Sequence, residues 1–385
     1  GVEGTSVTQV ERHAGLTWLG GDFRLEALVQ GFQVIDRRIA PLDRPYARLP
    51  RVAVSGRWPL GATGLRAGLD GEAVWFERDA GVTGGRLDLA PRLSFSLGGP
   101  GWFLEPSATW RYTGYALEGT APGADDSPSR TAPILALDAG LAFDRLATRD
   151  GRLTHTLEPR VLYTYIPFRD QSDLPVFDTG LPDLDLVQLF RSNRYLGADR
   201  LGDANQLAYG VTTRLLQTAT GRQFLSATLG QKLYFSTPKV TLESEEPDLR
   251  GNSDLVAELE LNAYRNWSVR LGTQYDPDDS STVLSRAGLQ YKAARDRVAN
   301  LGYRYRAGRI EQWEASVAWR INPRWSVFGS QIYSLRDDQG IDSFVGVEYA
   351  SCCWRLRVVG RRYLSDRTGE FDTSLTVQLE LSGLS

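Results

Sequence analysis

Methionine is absent from the 385 residues, so Gly1 is not a translation start, and no leader-like segment follows it. A mature secreted chain and a fragment of a longer one both fit that beginning. Long apolar runs are absent too. No window approaches the roughly 20 apolar residues of a membrane-spanning helix, and the longest run, Ala132 to Phe143, is broken by Asp138. A net charge of −3 gives no electrostatic case for nucleic-acid binding. Histidine occurs twice, as His13 and His155, without metal-ligand spacing. Neither a phosphate-cradling glycine loop nor a G-x-S-x-G nucleophile motif is present. Cysteine also occurs twice, as neighbours in Tyr349-Ala350-Ser351-Cys352-Cys353-Trp354-Arg355. A bond between neighbours closes a strained ring, and there is no third cysteine. Either both thiols are free or their partners lie outside this chain. The mean hydropathy of −0.31 reads as water-soluble, but hydropathy is blind to transmembrane β-barrels, whose strands are only half apolar.

What is present is period two. Leu375, Val377, Leu379 and Leu381 alternate with Thr376, Gln378, Glu380 and Ser382. Leu255, Ala257, Leu259 and Leu261 alternate with Glu258, Glu260 and Asn262, and Val269, Leu271 and Thr273 with Arg270 and Gln274. The same holds for Leu301, Tyr303 and Tyr305 against Arg304 and Arg306. Such alternation predicts strands with one apolar and one polar face. About nineteen strands are expected, from 5–19 to 371–382, most of ten to fifteen residues. Globular strands average about 5–6 residues, whereas a tilted membrane strand needs about 9–11. The expected fold is therefore all-β, a transmembrane antiparallel β-barrel spanning 1–385 with no internal domain boundary.

The connections alternate between short turns, such as Gly20-Gly21-Asp22 and Asn322-Pro323, and longer links at 35–48, 117–130, 167–202, 237–252 and 277–281. Outer-membrane barrels have short periplasmic turns and longer extracellular loops. That rule puts the Ser351-Cys352 turn in the periplasm, an oxidising compartment where disulfides persist. Single-chain barrels generally have an even strand number; an odd count, with the first strand starting on the extracellular side, leads to the expectation that strands are missing before Gly1. The 167–202 link is too long for an ordinary connection and carries apolar residues, so it is expected to fold over or into the lumen. Trp18, Trp102, Trp110, Tyr163, Tyr165, Tyr234, Trp267, Trp313, Trp319, Trp325 and Trp354 suit interfacial girdles; the alternative is a soluble sandwich core. Pro159, inside a strand, predicts a bulge or bend.

Four stretches, "TLEPRVLYTYIPFRDQSDLPVFD" (156–178), "LFRSNRYLGADRLGDANQLAYGVTTRLL" (189–216), "GQKLYF" (230–235) and "GVEYASCCWRLRVV" (346–359), resemble in order the barrel of the LPS-assembly outer-membrane protein family, LptD. "ELSGLS" (380–385) resembles the end of that family's last strand. The resemblance implies a barrel of about 26 strands, of which these would be the eighth to the last. It also implies an N-terminal periplasmic jellyroll, absent here. Lipopolysaccharide would arrive over an LptA-like periplasmic bridge and leave through a lateral gate between the first and last strands, with an LptE-like lipoprotein plugging the lumen. Cys352 and Cys353 match the family's adjacent pair, which bonds to cysteines in the N-terminal region. Leu375, Val377, Leu379 and Leu381 would lie on the gate's last strand.

Transport of this kind needs no covalent chemistry, cofactor or metal. Thr376, Gln378, Glu380, Glu258, Glu260, Arg270, Arg304 and Arg306 are candidate lumen residues for a sugar route; each also fits a generic water-facing position. The rival readings are a general diffusion porin and an outer-membrane hydrolase using His155. Glu243-Ser244-Glu245-Glu246 and Asp276-Pro277-Asp278-Asp279 carry carboxylates of the kind that bind divalent cations, though solvated loop surface explains them as well.

Overall fold

The computed structural model describes residues 8–36, 38–243, 245, 249–264, 266–365 and 369–381. Twenty-one strands dominate it. The first ten are β1 (Gln9–Gly20), β2 (Phe23–Val34), β3 (Ala47–Pro59), β4 (Leu65–Glu77), β5 (Thr83–Phe95), β6 (Leu97–Gly99), β7 (Trp102–Glu118), β8 (Ser129–Leu141), β9 (Phe143–Leu146) and β10 (Leu153–Ile166). A single helical turn, α1 (Leu186–Leu189), precedes β11 (Ala204–Gln217), β12 (Gln223–Tyr234), β13 (Leu255–Tyr264), β14 (Trp267–Asp276) and β15 (Ser281–Ala294). The remainder are β16 (Arg297–Arg306), β17 (Ile310–Arg320), β18 (Trp325–Ser334), β19 (Gln339–Ala350), β20 (Trp354–Leu364) and β21 (Phe371–Leu381).

Every pass pairs antiparallel with the next, from β1–β2 to β20–β21. β6 continues β5 across Ser96, both pairing with β7, and β9 continues β8 across Ala142, both pairing with β10. The sheet therefore makes nineteen passes, as the alternation predicted. Among the described residues no ladder joins β1 to β21, so each pairs on one side only.

Proline explains the interruptions. The β10–β11 ladder runs unbroken through Pro159↔Val211. On the other side the ladder to β8 ends at Arg160↔Gly140 and resumes with β9 at Leu157↔Phe143. Proline has no N–H to give that side, and Ala142 N turns away to Gly101 O, 2.8 Å. Pro91 does the same in β5, where the ladder to β7 skips from Leu89↔Tyr112 to Arg92↔Thr109.

The two faces differ as expected. Leu87, Val161, Leu229, Leu271, Leu301, Val317, Val345 and Leu375 point away from the polar side and stand exposed, as a lipid-facing belt requires. At the short-turn end this belt is edged by rings: Trp267 meets Tyr291 at 4.7 Å, Tyr291 meets Trp319 at 6.3 Å, and Tyr349 touches Trp325 and Trp354 at 4.9 and 5.2 Å. Tyr234 departs from the girdle reading. It shares the inward parity of Lys232 and lines an internal cavity.

A charge on the belt should be costly where one on the inner face is not. Leu301→Arg, at the middle of β16 and 51% exposed, is expected to destabilise the protein in a bilayer by about 2–4 kcal/mol. Asn300→Arg, on the opposite face, should cost well under half of that. Urea unfolding of the lipid-reconstituted protein measures both, and equal losses would contradict the facing assigned here.

Candidate functional site

The long link of 167–203 folds inward against the polar face of the sheet. Its anchor is Asp199, fully buried. Asp199 accepts from Arg86 Nη1 of β5 at 2.5 Å, Tyr115 OH of β7 at 3.0 Å, and the backbone N–H groups of Phe177 and Asp178 at 2.8 and 2.9 Å. Arg86 also donates to Asp178 at 2.7 Å and to Glu72 of β4 at 2.7 Å. One strand over, Arg130 of β8 donates to Gln171 Oε1 at 2.6 Å and to the Ala198 carbonyl at 2.9 Å. Apolar contacts complete the dock: Phe177 stacks on Phe76 at 4.5 Å and meets Tyr46 edge-on at 4.9 Å. Burial opposes the ionisation of Asp199, but Arg86 and the two N–H groups outweigh it and hold its carboxyl below the ordinary carboxylate range.

Further along, α1 is capped by Asp185, which accepts from Gln188 N at 2.8 Å. Leu189 lies against Gly230 of β12, and Phe190 against Gly210 of β11; a Cβ at Gly230 would collide with Leu189. These two glycines face each other in the ladder, so the wall is thinned where the helical turn rests. Gly197 has a φ of +76°, and any side chain there would run into Asp178.

The candidate lumen residues lie on the polar face of the sheet, in two separate groups. Glu258 and Arg270 line a cavity of about 340 Å³ with Asp183, Asp185 and Arg286. Asp183 forms ion pairs with Arg306 and, at 3.5 Å, with Arg286. Glu260 stands 3.6 Å from Arg270, and Arg304 lies opposite Arg286 and Gln312 in its ladders. On β21, Glu380 pairs with Arg355 at 3.3 Å and Gln378 meets Arg357 at 3.5 Å, while Thr376 lies opposite Val359. Leu375, Val377, Leu379 and Leu381 take the opposite face, each more than half exposed.

Cys352 and Cys353 occupy the tight turn between β19 and β20, free and exposed, with their Sγ atoms 2.7 Å apart. The hydrogen bond from Cys353 lowers the pKa of Cys352, and the same bond raises that of Cys353.

The acidic runs are loop structure. Asp276 accepts from the N–H groups of Asp278 and Asp279 and from Arg250 at 2.8 Å. Glu245 pairs with Arg194 at 2.7 Å, while Ser244 and Glu246 lie outside the described residues, as do 382–385 of the "ELSGLS" stretch. His155 bonds Thr213 Oγ1 at 2.7 Å and Arg145 Nε at 3.3 Å.

The family model for LptD, described as LPS transport system D, matches residues 1–325. The LPS-assembly protein LptD of Nitrosococcus oceani is 42% identical over 382 residues, covering 98% of this chain and 52% of its own length. That of Alkalilimnicola ehrlichii is 38% identical over 393 residues, covering 99% and 52%, and that of Nitrosospira multiformis 37% over 366 residues, covering 94% and 39%. The chain spans about half the length of such relatives, or less. The solved ferric-catecholate import receptor Fiu of E. coli overlaps it with a TM-score of 0.45 at 14% identity, over 96% of this chain and 72% of its own.

Two outcomes test the inward anchor. Asp199→Asn replaces the carboxylate that accepts from Arg86, Tyr115 and two backbone amides with a neutral amide, while Arg86 keeps Asp178 and Glu72; it should weaken docking by about 1–3 kcal/mol, read as faster proteolysis within 167–202 while the strands stay resistant. Because the carboxyl of Asp199 is held low, its contribution is complete above its ordinary pKa of about 4 and is lost as pH falls through the lowered value. Protease protection of the segment should therefore fall in acid and hold from mildly acidic pH upward.

Proposed function

The chain belongs to the LptD family of LPS-assembly proteins, and on that premise we propose that it forms the later part of the barrel wall of a lipopolysaccharide-exporting translocon. It is an outer-membrane protein of transport and assembly, not an enzyme. The observation that carries the reading is the two-sidedness of the sheet in a chain of this family. An amphipathic glycolipid needs a polar path for its sugars and an apolar one for its acyl chains. The charged inner face, with Glu258, Arg270, Arg304 and Arg306, suits the first. The exposed leucines and valines suit the second.

In this reading β21 is the last strand of the gate. Its inner edge pairs with β20 throughout, and its other edge has no partner among the described residues. In this reading the strand that closes against it, and the periplasmic jellyroll that meets a separate LptA-like bridge protein, correspond to the part of the longer relatives that this chain does not span. Unpaired edges are costly in lipid, so the seam is held shut unless a substrate repays its opening. The bonds of the 167–203 segment run to β3–β16, leaving the inner faces of β17–β21 as the site for an LptE-like plug. Cys352 and Cys353 staple the wall to upstream cysteines: both are exposed, free, and on the short-turn side. A diffusion porin would need neither a staple nor a partner.

Disulfide mapping of the full-length protein from outer membranes should find Cys352 and Cys353 each joined to a cysteine upstream of Gly1; free or mutually bonded thiols would remove the staple. A cross-link between β21 and the first strand of the intact barrel should stop the appearance of new lipopolysaccharide at the cell surface. Undiminished export would sink the gate.

A further inference from the structure

Lys232, on the inner face of β12, is 3% exposed. An ammonium has three hydrogens to donate. Here one bond is made, to the Gln188 carbonyl at 2.9 Å. Arg194 and Arg191 act on it as like charges, and it has no ion pair among the described residues. A buried cation without a counter-ion is costly. Lys232 opens onto a cavity of about 470 Å³ at the long-link end of the lumen, which it shares with Arg194, Arg250, Arg306 and Arg309.

The acids on this cavity are already engaged. Asp183 serves Arg306 and Arg286, and Asp254 serves Arg250 at 2.6 Å. Arg194 is held through its Nη atoms by Glu245 and Tyr195, and its buried Nε has no acceptor. Arg309, at the exposed rim, has no ion pair among the described residues. Lys232, buried and without an ion pair among the described residues, thus shares one space with Arg194, and Arg309 stands at its rim. A carboxylate would balance one of these charges. A phosphate monoester carries about −1.5 to −2 and three acceptor oxygens, enough to answer the charge of Lys232 and Arg309 together and to take hydrogen bonds from both.

We infer that this cavity is a binding site for a phosphate group, with Lys232 as its buried counter-charge. The volume lies in the range of small-molecule sites and leaves room for a sugar beside the phosphate. A phosphorylated sugar of the exported glycolipid is one source of such a group, a clause that rests on the export reading; free phosphate is the other.

Calorimetric titration of the full-length protein in detergent separates them. The probes are inorganic phosphate, N-acetylglucosamine 1-phosphate and N-acetylglucosamine. The sugar phosphate should bind, the neutral sugar should not, and Lys232→Met should weaken binding by about tenfold or more, with Lys232→Arg retaining it. Tighter binding of the sugar phosphate than of inorganic phosphate assigns the site to a glycolipid headgroup; equal binding supports the phosphate site and assigns it to the free anion. If Lys232→Met does not reach its folded, heat-modifiable form, Arg309→Gln at the rim should weaken phosphate binding in the same sense. No binding of either phosphate to the wild type, or binding unchanged in both variants, overturns the inference. Neither result bears on the cross-link test of the gate, so the two readings fail separately.

Discussion

Hydrocarbon offers no hydrogen bonds, so every backbone N–H and C=O that crosses it must find a partner in the protein. The rest of this structure follows from that demand. It forces nineteen passes into one continuous antiparallel ladder, sets strand lengths of ten residues and more, and leaves side chains to be sorted by face. Where a proline cannot donate, the neighbouring strand breaks and redirects its own amide, as Ala142 does beside Pro159. The demand also makes the edges of β1 and β21, each paired on one side only among the described residues, the energetically expensive lines in the sheet.

The lumen answers to different physics. Water is available there, so charges are tolerated, yet Arg86, Arg130 and Asp199 are buried by the segment that folds over them. Such a cluster contributes little net stability relative to a well-packed apolar one, because desolvation offsets most of the attraction. What it supplies is position. Asp199 accepts four hydrogen bonds from two strands and two backbone amides, so the segment has one register against the wall. The apolar stack of Phe177 on Phe76 contributes the binding that the ion pairs do not.

The strands, their facing and the alternation of links were legible in the sequence because period two is a direct print of the pleat. The pass count survived because the extra strand ends at Ser96 and Ala142 are breaks within passes. Tyr234 was misassigned: a tyrosine near a strand end reads alike whether it points to lipid or lumen, and the parity of its neighbours Leu233 and Phe235 decides it. The inward fold of 167–203 was foreseeable from its length and apolar content, but its anchors were not. Arg86, Arg130 and Asp199 are brought together from positions up to 113 residues apart, and no local pattern records such a meeting. A usable signal did exist in Gly210 and Gly230: glycines in the middle of long strands mark close approach.

The segment that lines the lumen has both of its ends tied to a single hairpin, since β10 and β11 pair with each other along their full length. Its docking is therefore an intramolecular association with a very short tether. Released from Arg86 and Phe76, it would remain at an effective concentration of the order of millimolar, and the β10–β11 ladder would persist while it swung. A segment tied in this way can leave its dock and return to it without any strand of the wall coming apart.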